Sequence, residues 1–325
     1  MKKALSIFCL ITLTISFVCL PFFTSELTVK AQNNGYKAIL KIWHIDTFEG
    51  GTGSRASFLK SVATKFTKKN KGVLFLVTQL TYAAAQNRIE SGELPDLISF
   101  GLCGFTVYEK LIAQSNFNIL DGGVLNGKRY LTAWCKGGYF KITKGTKNYS
   151  KLIVSSGEFN LSTVAVCLEK LSAESVVIKE PLEAYSTFLN SKDACLIGTQ
   201  RDIVRLINKG VNFNAEPIES FSDLYQYIGV TAEGEEKRVC ALSFIDFLLS
   251  VSVQKTLVNI KMLSPTLLGL YSDNAFFTAL ENVNFTYTIS PFLQKSDLNL
   301  IKGEAKSQIL NGNYNGDLLK FLKQL

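Results

Sequence analysis

Between residues 38 and 100 the sequence alternates strand and helix patterns, and that alternation limits the chain to few architectures. Ala38–Ile45 is a β-type run, and Arg55–Lys69 places Phe58, Leu59, Val62 and Phe66 on one helical face behind Ser54 as N-cap. Gly72–Leu80 (GVLFLVTQL) is an apolar run suited to a buried strand, Thr81–Ser91 a second helix stopped by Gly92, and Leu97–Phe100 a third strand. A βαβαβ start predicts a parallel sheet covered by helices on both faces. Further along, Leu131–Ile142 and Ala194–Ile197 read as strands, and Thr199–Ile207 and Val239–Val251 as helices. No repeat and no proline-rich linker interrupts the pattern, so two domains would be joined by short ordered segments.

The loop after the first strand, WHIDTFEGGTGSR (Trp43 to Arg55), raises the question of a nucleotide. Gly51, Gly53 and Ala56 satisfy the G-x-G-x-x-G/A spacing of a dinucleotide site. The second strand, however, ends Val77-Thr78-Gln79-Leu80 without the carboxylate that would hold a ribose, and no lysine follows Gly53 as a P-loop requires. Nucleotide binding is therefore rejected. What remains is a glycine-rich turn at the carboxyl edge of a sheet, where open α/β proteins hold ligands.

The amino terminus argues for export. Lys2 and Lys3 precede an uncharged apolar run from Ala4 to Phe23, and Val29-Lys30-Ala31 offers a cleavage site before Gln32. The run is also nearly long enough to remain as a membrane anchor, whereas Phe17 and Val18 before Cys19 fit lipid attachment poorly. The chain carries a net +8; cleavage removes three lysines and one glutamate and leaves +6. That charge suits anionic cell-wall polymers or lipid head groups. The lysines are scattered apart from Lys65, Lys68, Lys69 and Lys71, which sit at a helix end, so no nucleic-acid surface is expected. Outside the leader, Cys103, Cys135, Cys167, Cys195 and Cys240 are odd in number and widely spaced, with neither a disulfide framework nor zinc spacing.

Catalysis finds little support. His44 is the sole histidine and no G-x-S-x-G elbow exists. Asp46 and Glu49 are a weak match to a glycosidase pair. Neither a metal nor another cofactor is expected.

Read in order, KIWHID, FLKSVATKFTKKNKGVLFLV and NRIESGELPDLISFG resemble the first lobe of bacterial extracellular solute-binding proteins of ABC transporters, in the sugar-binding class. LTAWCKGGYFKI resembles the strand re-entering the cleft in the second lobe, and NSKDACLIGTQRDIVRL the strand and helix that present ligand contacts. LSFIDFLLSVSVQKTLVNIKMLSP resembles the helix after the return to lobe one, and EAKSQILNGNYNGDLLKFL the closing helix pair. The segments cover most of residues 38–322; the chain is short around 143–185, where such proteins often shape the pocket.

The resemblance implies a two-lobed α/β fold of the periplasmic-binding-protein kind, each lobe a mainly parallel sheet flanked by helices with the ligand between them. Residues 1–31 would be the leader, 32–110 and 231–285 lobe one, and 111–230 and 286–325 lobe two. It further implies a monomer outside the cell that delivers a small solute, a carbohydrate, to a membrane permease. The alternative is a membrane-tethered sensor or interaction protein on the same scaffold.

Sugar sites combine aromatic plates with planar bidentate groups, and the candidates follow from that requirement. Trp43, Asp46, Glu49 and Arg55 come from the first loop, Arg55 being poorly placed for the helix dipole unless it pairs with Asp46 or Glu49. Ser99 and Gly101 close the third strand. Trp134 and Tyr139 face the cleft by resemblance. Thr199, Gln200 and Arg201 form the turn in which such proteins often present an aromatic, replaced here by polar groups that suit hydroxyls or an acidic group. Asp223 and Tyr225 lie where the chain crosses back.

Overall fold

The computed structural model describes residues 38–105, 110–114, 121–145 and 148–315, together with residue 318. The leader lies outside them. β1 (Ala38–Ile45) is paired in parallel with β2 (Val73–Leu80) on one side and β3 (Leu97–Phe100) on the other. Flanked by two strands and covered on both faces, it is buried throughout its carboxyl half. α1 (Arg55–Lys69) is capped by Ser54, whose hydroxyl accepts from Ser57 N at 3.1 Å. It buries Phe58, Leu59, Val62, Ala63 and Phe66, the stripe expected of a helix lying on a sheet. α2 (Tyr82–Glu90) is capped in the same way by Thr81.

Beyond β3 the strand order departs from the expected division. A short hairpin of β4 (Val124–Leu125) and β5 (Lys128–Arg129) turns at Asn126-Gly127, both at positive φ, the two-residue turn that Asn-Gly favours. The predicted single strand Leu131–Ile142 is two strands in different sheets. β6 (Leu131–Lys136) stays with β1, and β7 (Tyr139–Thr143) belongs to the second sheet, the chain passing between them at Gly137-Gly138. A side chain at Gly137 would strike the Gln200 amide at 2.6 Å, and one at Gly138 would strike Leu280 at 2.6 Å.

The second sheet runs β11-β7-β10-β8-β9 and adds β8 (Lys151–Ser155), β9 (Ser175–Lys179), β10 (Ala194–Thr199) and β11 (Asn214–Pro217). β8, β9 and β10 are parallel, whereas β7 is antiparallel to both of its neighbours. Its helices include α3 (Ser162–Leu168), α4 (Pro181–Asn190) and α5 (Gln200–Asn208). The chain then returns as β12 (Tyr225–Val230), inserted antiparallel between β3 and β6, so the first sheet runs β2-β1-β3-β12-β6. Both sheets are therefore mixed rather than mainly parallel.

The lobe boundaries set at 110 and 230 are corrected by this pairing: residues 131–136 and 225–230 hydrogen-bond within the sheet that contains Ala38–Ile45. The physical reason is that β12 is buried at every position and fills a central place that no strand from residues 38–100 supplies. α6 (Glu235–Leu249) and the short α7 (Val251–Gln254) follow; Phe244 of α6 stacks on Phe75 of β2 at 4.6 Å and meets Phe66 of α1 edge-on. α8 (Ala275–Glu281), expected with lobe one, lies on the second sheet, its Phe276 stacked on Phe213 at 5.0 Å. α9 (Lys295–Asn311) packs on α3, where the Cys167 thiol donates to Ala305 O.

Three segments cross between the sheets and are bonded side by side. Gly137 N donates to Leu224 O at 2.6 Å, and Lys136 and Leu263 exchange backbone bonds at 2.9 and 3.0 Å.

Candidate functional site

The carboxyl ends of β1, β2, β8, β9 and β10 face one another, and a cavity of about 430 Å³ lies between them. Its first wall is the loop after β1 with Gln79 from β2, and its second wall is Gly157, Glu158, Asn160, Glu180, Pro181 and Arg201. Ligand pockets fall in this size range and, in open α/β sheets, at this edge.

The loop is held from inside the first lobe. Asp46 accepts from Arg55 Nη2 at 3.1 Å and His44 Nε2 at 3.0 Å, and its other oxygen accepts from Gln79 Nε2. Arg55, only 6% exposed, also donates to Phe48 O at 2.7 Å and lies over the Phe48 ring at 4.2 Å. Burial alone would raise the Asp46 carboxyl, but the His44 hydrogen bond and the Arg55 charge outweigh it and hold the group well below the usual carboxylate range. Burial lowers His44 and keeps it neutral despite the neighbouring carboxylate. With its Nε2–H on Asp46, its Nδ1 accepts from the Ser99 hydroxyl at 3.3 Å. The pairing expected for Arg55 is thus present, and Asp46 staples the loop with all its donors drawn from the protein.

Glu49 is tied across the cleft. Its oxygens meet Arg201 Nη1 at 3.1 Å and Arg205 Nη2 at 3.4 Å, and Arg201 Nε donates to Gly51 O at 3.1 Å. Thr52 N donates to Ile260 O at 2.8 Å, fixing the loop to the third crossing segment.

Of the sequence candidates, Asp46, Glu49, Arg55 and Arg201 line the cavity. The others are placed elsewhere, which corrects the expectation that they face ligand. Trp43 is 2% exposed in the core under α2, with Arg88 over its ring at 5.5 Å. Trp134 is fully buried, stacked on Phe58 at 5.6 Å, and its Nε1 donates to Ser99 Oγ. Ser99 also accepts from Gln226, so its hydroxyl is consumed within the sheet. Gly101 N donates to Thr47 Oγ1, and a Cβ there would strike that oxygen. Tyr139 is buried and donates to Asp223 Oδ1 at 2.7 Å, while Asp223 Oδ2 accepts from Leu161 N at 2.9 Å. Tyr225 is buried beside Tyr227. Thr199 and Asp202 form a capping box at the start of α5, and the buried Gln200 accepts from Gly138 N at 3.2 Å.

Sequence reasoning missed Gln79, Glu158, Asn160 and Glu180. A signal existed for Glu180: it precedes Pro181 at the N-cap of α4, where Ser, Thr, Asp or Asn is usual, and its side chain makes no capping bond. Asp46 is held ionised by the His44 hydrogen bond and the Arg55 charge, so it is not the protonated acid of a glycosidase pair. Among the described residues no group of His, Cys, Asp and Glu could hold a metal ion. Cys103, Cys135, Cys167 and Cys195 are buried and free; burial pushes the thiols of Cys135, Cys167 and Cys195 up to about 12, as for inert core residues.

No protein-family model matches the chain, and no curated protein matches it. Solved structures do. A maltose-bound MalE3 of T. maritima aligns with a TM-score of 0.59 at 11% identity, over 89% of this chain and 98% of that one. An ABC substrate-binding protein from Listeria monocytogenes in complex with cycloalternan aligns at 0.55 and 14%, over 89% and 98%. A maltose/maltodextrin-binding domain from Bdellovibrio bacteriovorus bound to maltotriose gives 0.55 and 13%, over 87% and 95%. The chain has the two-lobed α/β fold of these substrate-binding structures, along nearly their whole length.

Proposed function

We propose that the protein is the extracellular substrate-binding component of an ABC importer, and that it binds a carbohydrate between its lobes and delivers it to a membrane permease. The observation that carries this reading is a cavity walled by the carboxyl ends of both sheets on a fold shared with proteins described as bound to maltose, maltotriose and cycloalternan. A ligand there touches both lobes only when they are shut, so its binding energy shifts the open–closed equilibrium and the permease reads the closed form. Lobe one comprises the strands of the first sheet with α1, α2 and α6, and lobe two the second sheet with α3, α4, α5, α8 and α9. Lobe one offers the Gln79 amide and the N-terminus of α1, whereas lobe two offers Asn160, Glu180 and Arg201. The protein is a binder rather than an enzyme, acts as a monomer, and reaches the cell envelope by its N-terminal leader.

The test is a thermal-shift screen against mono- and oligosaccharides. A ligand at a hundred times its Kd stabilises by about 2.7 kcal/mol, which for a chain of this size is a rise of about 5 °C. A screen in which no saccharide shifts the transition, while another solute class does, would end the carbohydrate reading.

A further inference from the structure

Arg201 and Arg205 stand one turn apart on α5 and leave it on one face. Each meets a different oxygen of a single carboxylate, Glu49, which arrives from the opposite lobe at the cavity wall. Arg205 is braced independently of that carboxylate, and Arg201 Nε is held by Gly51 O on the loop that carries Glu49. Arg205 Nη1 donates to Asp202 Oδ1 at 3.2 Å and its guanidinium lies over the Tyr185 ring at 5.4 Å. Asp202 is itself buried and fixed by Thr199 N at 3.0 Å. Glu49 is less buried than its partners, with a side chain 38% exposed, and its carboxylate holds only the two arginines among the described residues.

The cavity also lacks the usual alternative source of sugar affinity. Both tryptophans are buried in the sheets, and the one aromatic on the described walls, Phe48, has its ring covered by Arg55. Polar groups must supply the binding energy, and a charge-assisted bidentate contact is the strongest of these. Resting on the carbohydrate reading above, we propose that Arg201 and Arg205 are a carboxylate clamp for an acidic saccharide, a uronate, and that Glu49 is the internal occupant which the ligand carboxylate displaces. Displacement swaps one carboxylate for another at the same guanidinium pair, so a neutral sugar has no means of driving it.

Calorimetry with trigalacturonate, maltotriose and succinate on the full mature chain tests this. In the wild type trigalacturonate binds more tightly than maltotriose. Glu49→Gln removes the competing charge and raises that preference about tenfold or more, and Arg205→Gln lowers it by a similar factor. A trigalacturonate preference that neither substitution changes overturns the clamp. Binding of maltotriose alone overturns it and leaves the carbohydrate reading intact. Binding of succinate alone, or of none of the three, overturns the uronate clamp, and the saccharide screen above then decides the carbohydrate reading separately.

Discussion

The residue with the clearest measurable signature is Asp223, buried beside the crossing segments and bonded to Tyr139 OH and Leu161 N. Burial raises its carboxyl from 3.8 to about 6, against the lowering effect of those two bonds and of the Lys302 charge. The native state therefore keeps a proton that the unfolded chain has released between about pH 4 and 6, so this group's contribution to stability falls as pH rises through that window and levels off above it. Neutral, buried His44 contributes the opposite slope up to its ordinary 6.5, so the informative readout is a difference. Asp223→Asn loses one hydrogen bond at every pH, but its Tm deficit against wild type should be largest near pH 4 and shrink by pH 7. A deficit that does not vary with pH would show that Asp223 does not titrate there. Asp46 behaves differently: Asp46→Ala strips the counterion from the buried Arg55 and should cost about 3 kcal/mol in a denaturant melt. The polar members of the WHIDTFEGGTGSR loop were legible because a charge at a helix start calls for a partner. The aromatic candidates were not, since strand alternation says which residues share a face but not what covers that face. Trp43 and Trp134 are covered by α2 and α1.

At the scale of elements, the turn from β1 into α1 was legible as a glycine loop, while its fixed contact with residue 260 was not. Gly51 has φ +66°, and a Cβ there would lie 2.2 Å from Ile260 O, the acceptor of the Thr52 N bond. Gly53 has φ +75° but its Cβ would meet only Ile260 Cγ2, at 3.5 Å. Gly53→Ala should therefore cost the conformational term alone, about 1–2 kcal/mol, and Gly51→Ala should cost at least about 2 kcal/mol more through the steric clash and the lost bond. Equal losses in Tm would show that the loop does not pack on the crossing segment as described. The same limit explains the strand read as Leu131–Ile142: its composition is β-like on both sides of Gly137-Gly138, and only the separate partners, β12 for one half and β10 for the other, divide it.

For the whole molecule, chain order and spatial order disagree, and this has a kinetic consequence. All five strands of the second sheet lie between residues 139 and 217, whereas the first sheet draws on residues 38–100, 131–136 and 225–230. The alternation of the first hundred residues revealed β1, β2 and β3, but a single sequence holds no local signal that a strand some 125 residues later completes the same sheet. Closing a loop of that length is entropically costly and must precede the contacts that reward it. Within the second sheet the longest gap between consecutive strands is the 19 residues between β8 and β9. β12 stands between β3 and β6, so β6 has no partner in the first sheet until β12 is seated. During refolding from denaturant, pulse-labelled hydrogen exchange should accordingly show amides of β8 and β10 protected before those of β6 and β12. Protection of β12 in the earliest phase, ahead of β8 and β10, would mean that the first sheet assembles without waiting for the second lobe.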